Sequence, residues 1–153
     1  MKPVFVFLCM LLADTAFCQS PGFRMKQFNL DEGLALRGYD PVAYFIQNKA
    51  VKGEKELSYD YHGVSYHFSI PANQQAFQAN PEKYEPQYGG WCAYAMGHDG
   101  SKVDVNPETF KIIKGKLFLF YNRFFNNTLK SWNMDESALH TRADANWQKI
   151  LTE

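Results

Sequence analysis

Apolar residues recur along this chain in two periods, and the changes of period mark out its elements. Leu57, Tyr59 and Tyr61 alternate with polar residues, and Val64, Tyr66 and Phe68 do the same beyond His62-Gly63. Period two on both sides of a two-residue turn predicts a β-hairpin, with Ser65, His67 and Ser69 on its opposite face. A second hairpin is predicted from 109–113, the turn Lys114-Gly115, and 116–121. Both of its faces are apolar, which predicts central strands. Helical spacing takes over elsewhere. Asp40 as a cap and Pro41 at the first position open a short helix over 41–47, with Val42, Phe45 and Ile46 on its buried face. Ser69 is expected to cap a helix over 72–80 whose small apolar set is Ala72, Ala76, Phe77 and Ala79. Pro81 stops it, and a further turn over 81–84 ends before Pro86. A helix over 122–132 would carry Phe125, Leu129 and Trp132. Asn133 and Glu136 restart a C-terminal amphipathic helix with Leu139, Ala143, Trp147, Ile150 and Leu151. Residues 19–33 read as a polar arm. The predicted class is α+β: a small antiparallel sheet from two β-hairpins, packed with several short helices and the C-terminal amphipathic helix.

The first residues follow a different rule. Lys2 precedes an apolar run over 4–12, too short to span a membrane, and Ala16-Phe17-Cys18 offers small residues where a signal peptidase cuts. A signal peptide over 1–18 is predicted, followed by a single domain over 19–153. The mature chain is then exported, to the periplasm or beyond the cell. A lipoprotein anchor at Cys18 is the weaker alternative, because Phe17 is large for the position before it. No later stretch is apolar enough to cross a bilayer.

Charge and cysteine content narrow the function. Sixteen Lys and Arg balance sixteen Asp and Glu, with no basic run, so nucleic acid is not an expected partner. Aromatics make up 16% of the chain, enough to fill a core with large rigid side chains. Cleavage of the leader removes Cys9 and Cys18 and leaves Cys92 alone, which rules out an internal disulfide in the mature domain. A lone cysteine in an oxidising compartment is either buried and inert or a thiol with a task.

Cys92 lies in the stretch Tyr84 to Met96, behind the pair Gly89-Gly90, which permits positive φ and close backbone approach. Cys92, Trp91, Tyr94 and His67 are the candidates for ligand binding or redox chemistry, provided the loop folds over the first hairpin. The alternative is a buried cysteine packed among Tyr88, Trp91 and Tyr94. Cys92, Met96 and His98 have the spacing C-x3-M-x-H, a soft donor set that would suit copper(I) or another soft metal if one helical turn aligned them. Against it, methionines commonly fill core gaps and His98 stands in a loop beside Asp99-Gly100. No nucleophile elbow, phosphate loop, dinucleotide fingerprint or paired carboxylates appear, so a non-enzymatic role is favoured.

Tyr39-Asp40-Pro41-Val42, then Tyr61-x-Gly63-x-x-Tyr66-x-Phe68, then Asn73-x-x-x-Phe77-x-x-Asn80-Pro81-x-Lys83-Tyr84 resembles the YHS domain, with its core over about 39–95. The continuation Gly89-Gly90-Trp91-Cys92-Ala93-Tyr94 and the end Ala143-Asp144-Ala145-Asn146-Trp147 are similar to exported bacterial YHS proteins of this length. The "(seleno)protein" label of that subfamily implies selenocysteine in relatives, at the position matching Cys92. The wider family implies metal handling, through cysteines just after Asp-Pro-Val, after the Tyr-x-Phe strand and on the next helix. Here those positions are Ala43, Ser69 and Asn73, so the thiolates for a soft metal are missing there. Three readings follow. The first is an exported binding protein for a soft metal, a metal-containing group or a small ligand. The second is a thiol redox protein acting through Cys92. The third is a structural or partner-binding module without chemistry.

Overall fold

The structure is a computed structural model that describes residues 20–153. The leader expected over 1–18, with Cys9 and Cys18, lies outside the described residues. The fold is α+β. In chain order the elements are α1 (Pro21–Gln27), β1 (Leu30–Asp31), β2 (Leu34–Ala35), α2 (Ala43–Ile46), β3 (Glu54–Tyr61), β4 (Val64–Phe68), α3 (Pro71–Ala79) and α4 (Pro81–Tyr84). There follow α5 (Ala93–His98), β5 (Asn106–Ile113), β6 (Lys116–Phe120), β7 (Asn122–Arg123), β8 (Asn126–Asn127), α6 (Thr128–Met134) and α7 (Glu136–Thr152).

The first hairpin forms as its alternation predicts. Tyr61 pairs with Val64 across His62 (φ 48°) and Gly63 (φ 84°), the two left-handed residues that match the twist of a tight hairpin. Val64, Tyr66 and Phe68 are fully buried. They meet Phe77 of α3, whose ring centroid lies 4.6 Å from that of Tyr66 and 5.3 Å from that of Phe68. Burial of a Phe of this kind stabilises by about 1.5–3 kcal/mol.

The second hairpin also forms, but in a separate sheet. The first hairpin belongs to a four-stranded sheet of order β1-β2-β4-β3, in which β2 runs parallel to β4. The outer edge of β6 is instead taken by the 86–92 segment, through parallel bridges Pro86 to Leu117 and Cys92 to Leu119. Strand β6 is therefore central in a local sense. Leu117 and Leu119 face the cluster of Tyr66, Phe77 and Cys92, while Phe118 and Phe120 face that of Met96, Trp132 and Leu139. The two-sided apolar pattern of 117–120 has this cause.

Several expectations are corrected. The N-terminal arm is not structureless: Ser20 caps α1, accepting from the Phe23 N–H at 3.3 Å, and Arg24 pairs with the buried-side Glu85. The signal was missed because α1 has only seven residues and its anchor is sixty-one residues away. Ile46 is exposed, and Tyr44 takes its place inside, donating to the Pro107 carbonyl at 2.8 Å. Ser69 does not cap α3; its hydroxyl turns to Asp40 at 2.6 Å. The helix expected from Asn122 begins only at Thr128. Residues 122–127 form the small β7–β8 hairpin instead, and Asn127 is the true cap, accepting from the Leu129 N–H at 3.1 Å.

Helix α7 closes the molecule. A Cβ at Gly97 would fall 2.4 Å from the Leu139 carbonyl oxygen, so only glycine allows α5 to lie this close. Arg142 Nε donates to the Gly97 carbonyl at 2.9 Å and Asn146 Nδ2 to that of Met96 at 2.8 Å, satisfying carbonyls at the end of α5.

Burial pushes the phenols of Tyr44, Tyr66 and Tyr88 well above the usual range; Glu85 adds to this at Tyr66, and Asp144 at Tyr88. Each holds its proton more tightly folded than unfolded, so its contribution is intact below the unfolded phenol value and is lost above it. Stability should fall above about pH 10, by about 1.4 kcal/mol per pH unit for each phenol. Urea denaturation at stepped alkaline pH measures this. Tyr44→Phe should lower the slope by about a third; parallel curves for variant and wild type would contradict the assignment.

Candidate functional site

The stretch that carries Cys92 is built from an unusual backbone. Tyr88 (φ 55°), Gly89 (φ 59°) and Gly90 (φ 86°) are consecutive left-handed residues. A Cβ on Gly89 would lie 2.9 Å from Phe28 Cδ1 and 3.0 Å from Trp147 Cη2, so the approach to those rings demands glycine. Tyr88 is held in this strained region by its hydroxyl, which donates to Asp144 at 2.9 Å, and by its packing against Phe118. The chain then straightens along β6, with the Cys92 N–H donating to the Val103 carbonyl at 2.9 Å.

Cys92 is fully buried at the start of α5. Its sulfur accepts from the Tyr121 N–H at 3.4 Å and lies 3.4 Å from Thr128 Oγ1. The one Thr128 hydroxyl proton goes to the Tyr121 carbonyl at 3.0 Å, which leaves Oγ1 to accept from the Cys92 S–H. The thiol is satisfied as donor and as acceptor. Cys92 nevertheless forms part of the wall of an open groove of about 300 Å³, together with Tyr94, Ala95, His98, Val103 and Thr128. The rings of Tyr94 and His98 stack at 5.6 Å along one edge. Asp99 adds a rim carboxylate, held below the usual range first by Ser101 and then by His98.

Of the residues singled out from the sequence, the groove gathers Cys92, Tyr94 and His98. It does not gather the others. Met96 points to the opposite cluster with Phe118 and Trp132, because Cys92 sits before the helix with extended ψ 116° and does not share its i, i+4 face. The triplet Cys92, Met96 and His98 therefore does not converge. Trp91 is tied to the end of α1, its Nε1 donating to the Gln27 carbonyl at 2.7 Å. His67 faces away, with the backbone of Gly53 and the Gly38 turn packed beside it. Among the described residues, no three His, Cys, Asp or Glu side chains stand together as a metal-holding group. Thr128, Tyr121 and Val103 went unrecognised in the sequence. They stand far along the chain from Cys92, and no local pattern announces their role.

A second groove of about 310 Å³ lies on the other side of the 103–105 segment. Asp104 joins it to both Arg37 and Arg123, and accepts from Asn29 at 3.2 Å. Leu36 and Arg37 on its wall are left-handed, at φ 55° and 50°. On its wall Arg37 and Asp104 are paired with each other.

Asp40 forms a third centre, entirely buried. Oδ1 accepts from the N–H of Val42 at 2.9 Å and of Ala43 at 3.3 Å. Oδ2 accepts from the Ser69 N–H at 2.8 Å, the Ser69 hydroxyl at 2.6 Å and Asn73 Nδ2 at 2.7 Å. Five donors surround one carboxylate, and the turn, the hairpin end and α3 are pinned to it.

An α+β unit with a tight hairpin laid on a capped Asp-Pro turn is the architectural class these features define. Its family follows from comparison: residues 42–88 match the YHS domain, and the chain is a YHS domain-containing protein. No curated protein and no solved structure matches it. The match ends at Tyr88, so Cys92 and its groove lie beyond it. YHS domains are often linked to metal binding. The residues here do not fit a metal at the positions where the resemblance implies cysteines. Ala43, Ser69 and Asn73 do converge, but on Asp40, where they supply hydrogen-bond donors and no thiolate.

Asp40→Ala should cost about 3 kcal/mol or more, since it strands several buried donors at once. Asp40→Asn should also destabilise, because its amide sets donors against donors. Chemical denaturation measures both; an Asp40→Ala protein as stable as wild type would show that the knot does not hold the fold.

Proposed function

We propose that this chain is an exported, non-enzymatic YHS-domain protein that binds a small ligand in the groove bounded by Cys92, Tyr94 and His98. The observation that supports it is the groove itself: a concave surface lined by apolar Val103, Ala95 and Cys92 and by polar His98, Asp99 and Thr128. Its volume is at the lower end for small-molecule sites, which points to a compact ligand. The stack of half-buried Tyr94 with exposed His98 offers a face for a planar group. A metal-containing group is compatible only if it brings most of its own ligands, since the chain contributes at most one thiol and one imidazole. The burial and double hydrogen bonding of Cys92 weigh against the thiol redox reading.

Two measurements test this. Indole, benzimidazole, haem and copper(I) are titrated as probes while amide and side-chain NMR shifts are followed. Shifts should cluster at Tyr94, His98, Asn126 and Thr128 and vanish in Tyr94→Ala; shifts confined to other regions reject the groove. In the native protein, Cys92 should react with a disulfide reagent at least about tenfold more slowly than free cysteine, because access requires local opening. Reaction as fast as that of a free thiol would return the redox reading to first place.

A further inference from the structure

Two phenylalanines stand in water at the end of β7 and β8. These strands pair Arg123 with Asn126, so Phe124 and Phe125 alone make the turn. Both are left-handed, at φ 50° and 66°. A two-residue hairpin turn of this kind prefers Asn-Gly or Asp-Gly, and a bulky side chain there is strained. Their exposures are 90% and 110%, so neither ring packs on the protein. The fold thus sustains a strained turn that holds two aromatic rings away from its own surface. Neighbouring asparagines at 122, 126 and 127 would have suited the turn positions better.

The surroundings indicate what receives the rings. Two Phe side chains present about 400 Å². A stable protein interface needs about 800 Å² from each partner. Among the described residues, the other exposed large apolar side chains (Met25, Ile46, Ile70 and Met134) lie outside the β7–β8 hairpin, so the pair is a narrow wedge on that hairpin. The chain as a whole has no net charge; of the basic residues within 111–134, Lys111 is paired with Glu136, and Lys114 and Lys116 stand at the β5–β6 turn, at the other end of β6 from the wedge. Arg123 adjoins the wedge directly, with its guanidinium shared with Asp104 at 3.2 Å, and the exposed Lys130 follows on α6. Apolar tips rimmed by amides and cations suit a lipid interface, where rings enter the acyl boundary and the rim meets phosphate and glycerol groups.

We propose that the Phe124–Phe125 turn is an interfacial anchor that dips both rings into an anionic lipid surface. It is a peripheral contact: no helix among the described residues is long and apolar enough to cross a membrane. The two rings that make the anchor, Phe124 and Phe125, do not line the groove of Cys92, Tyr94 and His98, so either reading can fail without the other. Asn126, beside the wedge, also lines that groove, and docking would bring the mouth of the groove to the lipid surface.

The test compares the full chain with Phe124→Asn/Phe125→Gly, using sucrose-loaded vesicles of phosphatidylcholine with about 30% phosphatidylglycerol and of phosphatidylcholine alone. The double variant supplies the turn the backbone prefers, so its thermal midpoint should equal or exceed that of wild type. Its partitioning onto anionic vesicles should fall at least about tenfold. A Phe125→Trp chain should bind, and its added emission should be quenched by lipids brominated on the acyl chains. Three results overturn the proposal: unchanged partitioning in the double variant, no vesicle binding by wild type, or added indole emission that stays unquenched in the Phe125→Trp chain. The last two point to a protein partner. Equal binding to neutral vesicles overturns its anionic component.

Discussion

The fold rests on one buried carboxylate. Asp40 has no solvent to share its charge, and the five donors around it come from three separate pieces of chain. Val42 and Ala43 begin α2, Ser69 ends the hairpin, and Asn73 lies in α3. A buried charge left short of partners costs far more than any one of these bonds gains, so all three pieces must arrive together. Once they do, Tyr44 is aimed at Pro107 and Phe77 is set beneath Tyr66 and Phe68. Local capping and long-range packing are thus enforced by one group.

A second constraint acts through β6. Every residue from Leu117 to Phe120 is buried, and alternate side chains feed two different clusters. Such a strand needs a neighbour along each edge. Strand β5 takes one, and the Pro86–Cys92 segment takes the other. This explains why a stretch with three left-handed residues is nonetheless fixed, and why Cys92 sits deep in the protein. The same docking leaves a concavity where the segment turns into α5, and the candidate groove is that concavity. The groove therefore follows from the way the chain beyond the YHS match packs back on its core.

The convergence of Ala43, Ser69 and Asn73 gives the family resemblance a physical content. The positions where the resemblance implies cysteines come together here around an acid that asks for hydrogen-bond donors. In this chain their meeting point is structural, and the surfaces open to a ligand lie elsewhere.

Much of the architecture was legible from local pattern. Period two on either side of His62-Gly63 defines its hairpin, Asp40-Pro41 announces a helix start, and Leu139, Ala143 and Trp147 mark α7, because each signal is written within a few residues and reports a single buried face. The errors share the opposite cause. Phe125 fits a helical spacing with Leu129 and Trp132, yet the backbone turns at Phe124–Phe125 and both rings are exposed; periodicity cannot tell a buried aromatic from one held in water. Ser69 has the look of a cap, but a buried carboxylate competes for its hydroxyl and wins. Met96 and His98 follow Cys92 closely, yet the extended backbone at Cys92 sends the sulfur and the thioether to different cores. The sequence by itself determined the class, the hairpins, the YHS signature and the interest of Cys92. Only the tertiary structure decided which side chains meet at Asp40, that Thr128 and Tyr121 hold the thiol, and that His67 and Trp91 stand apart. Contacts between residues dozens of positions apart are set by how whole elements dock, and no short stretch of chain encodes them.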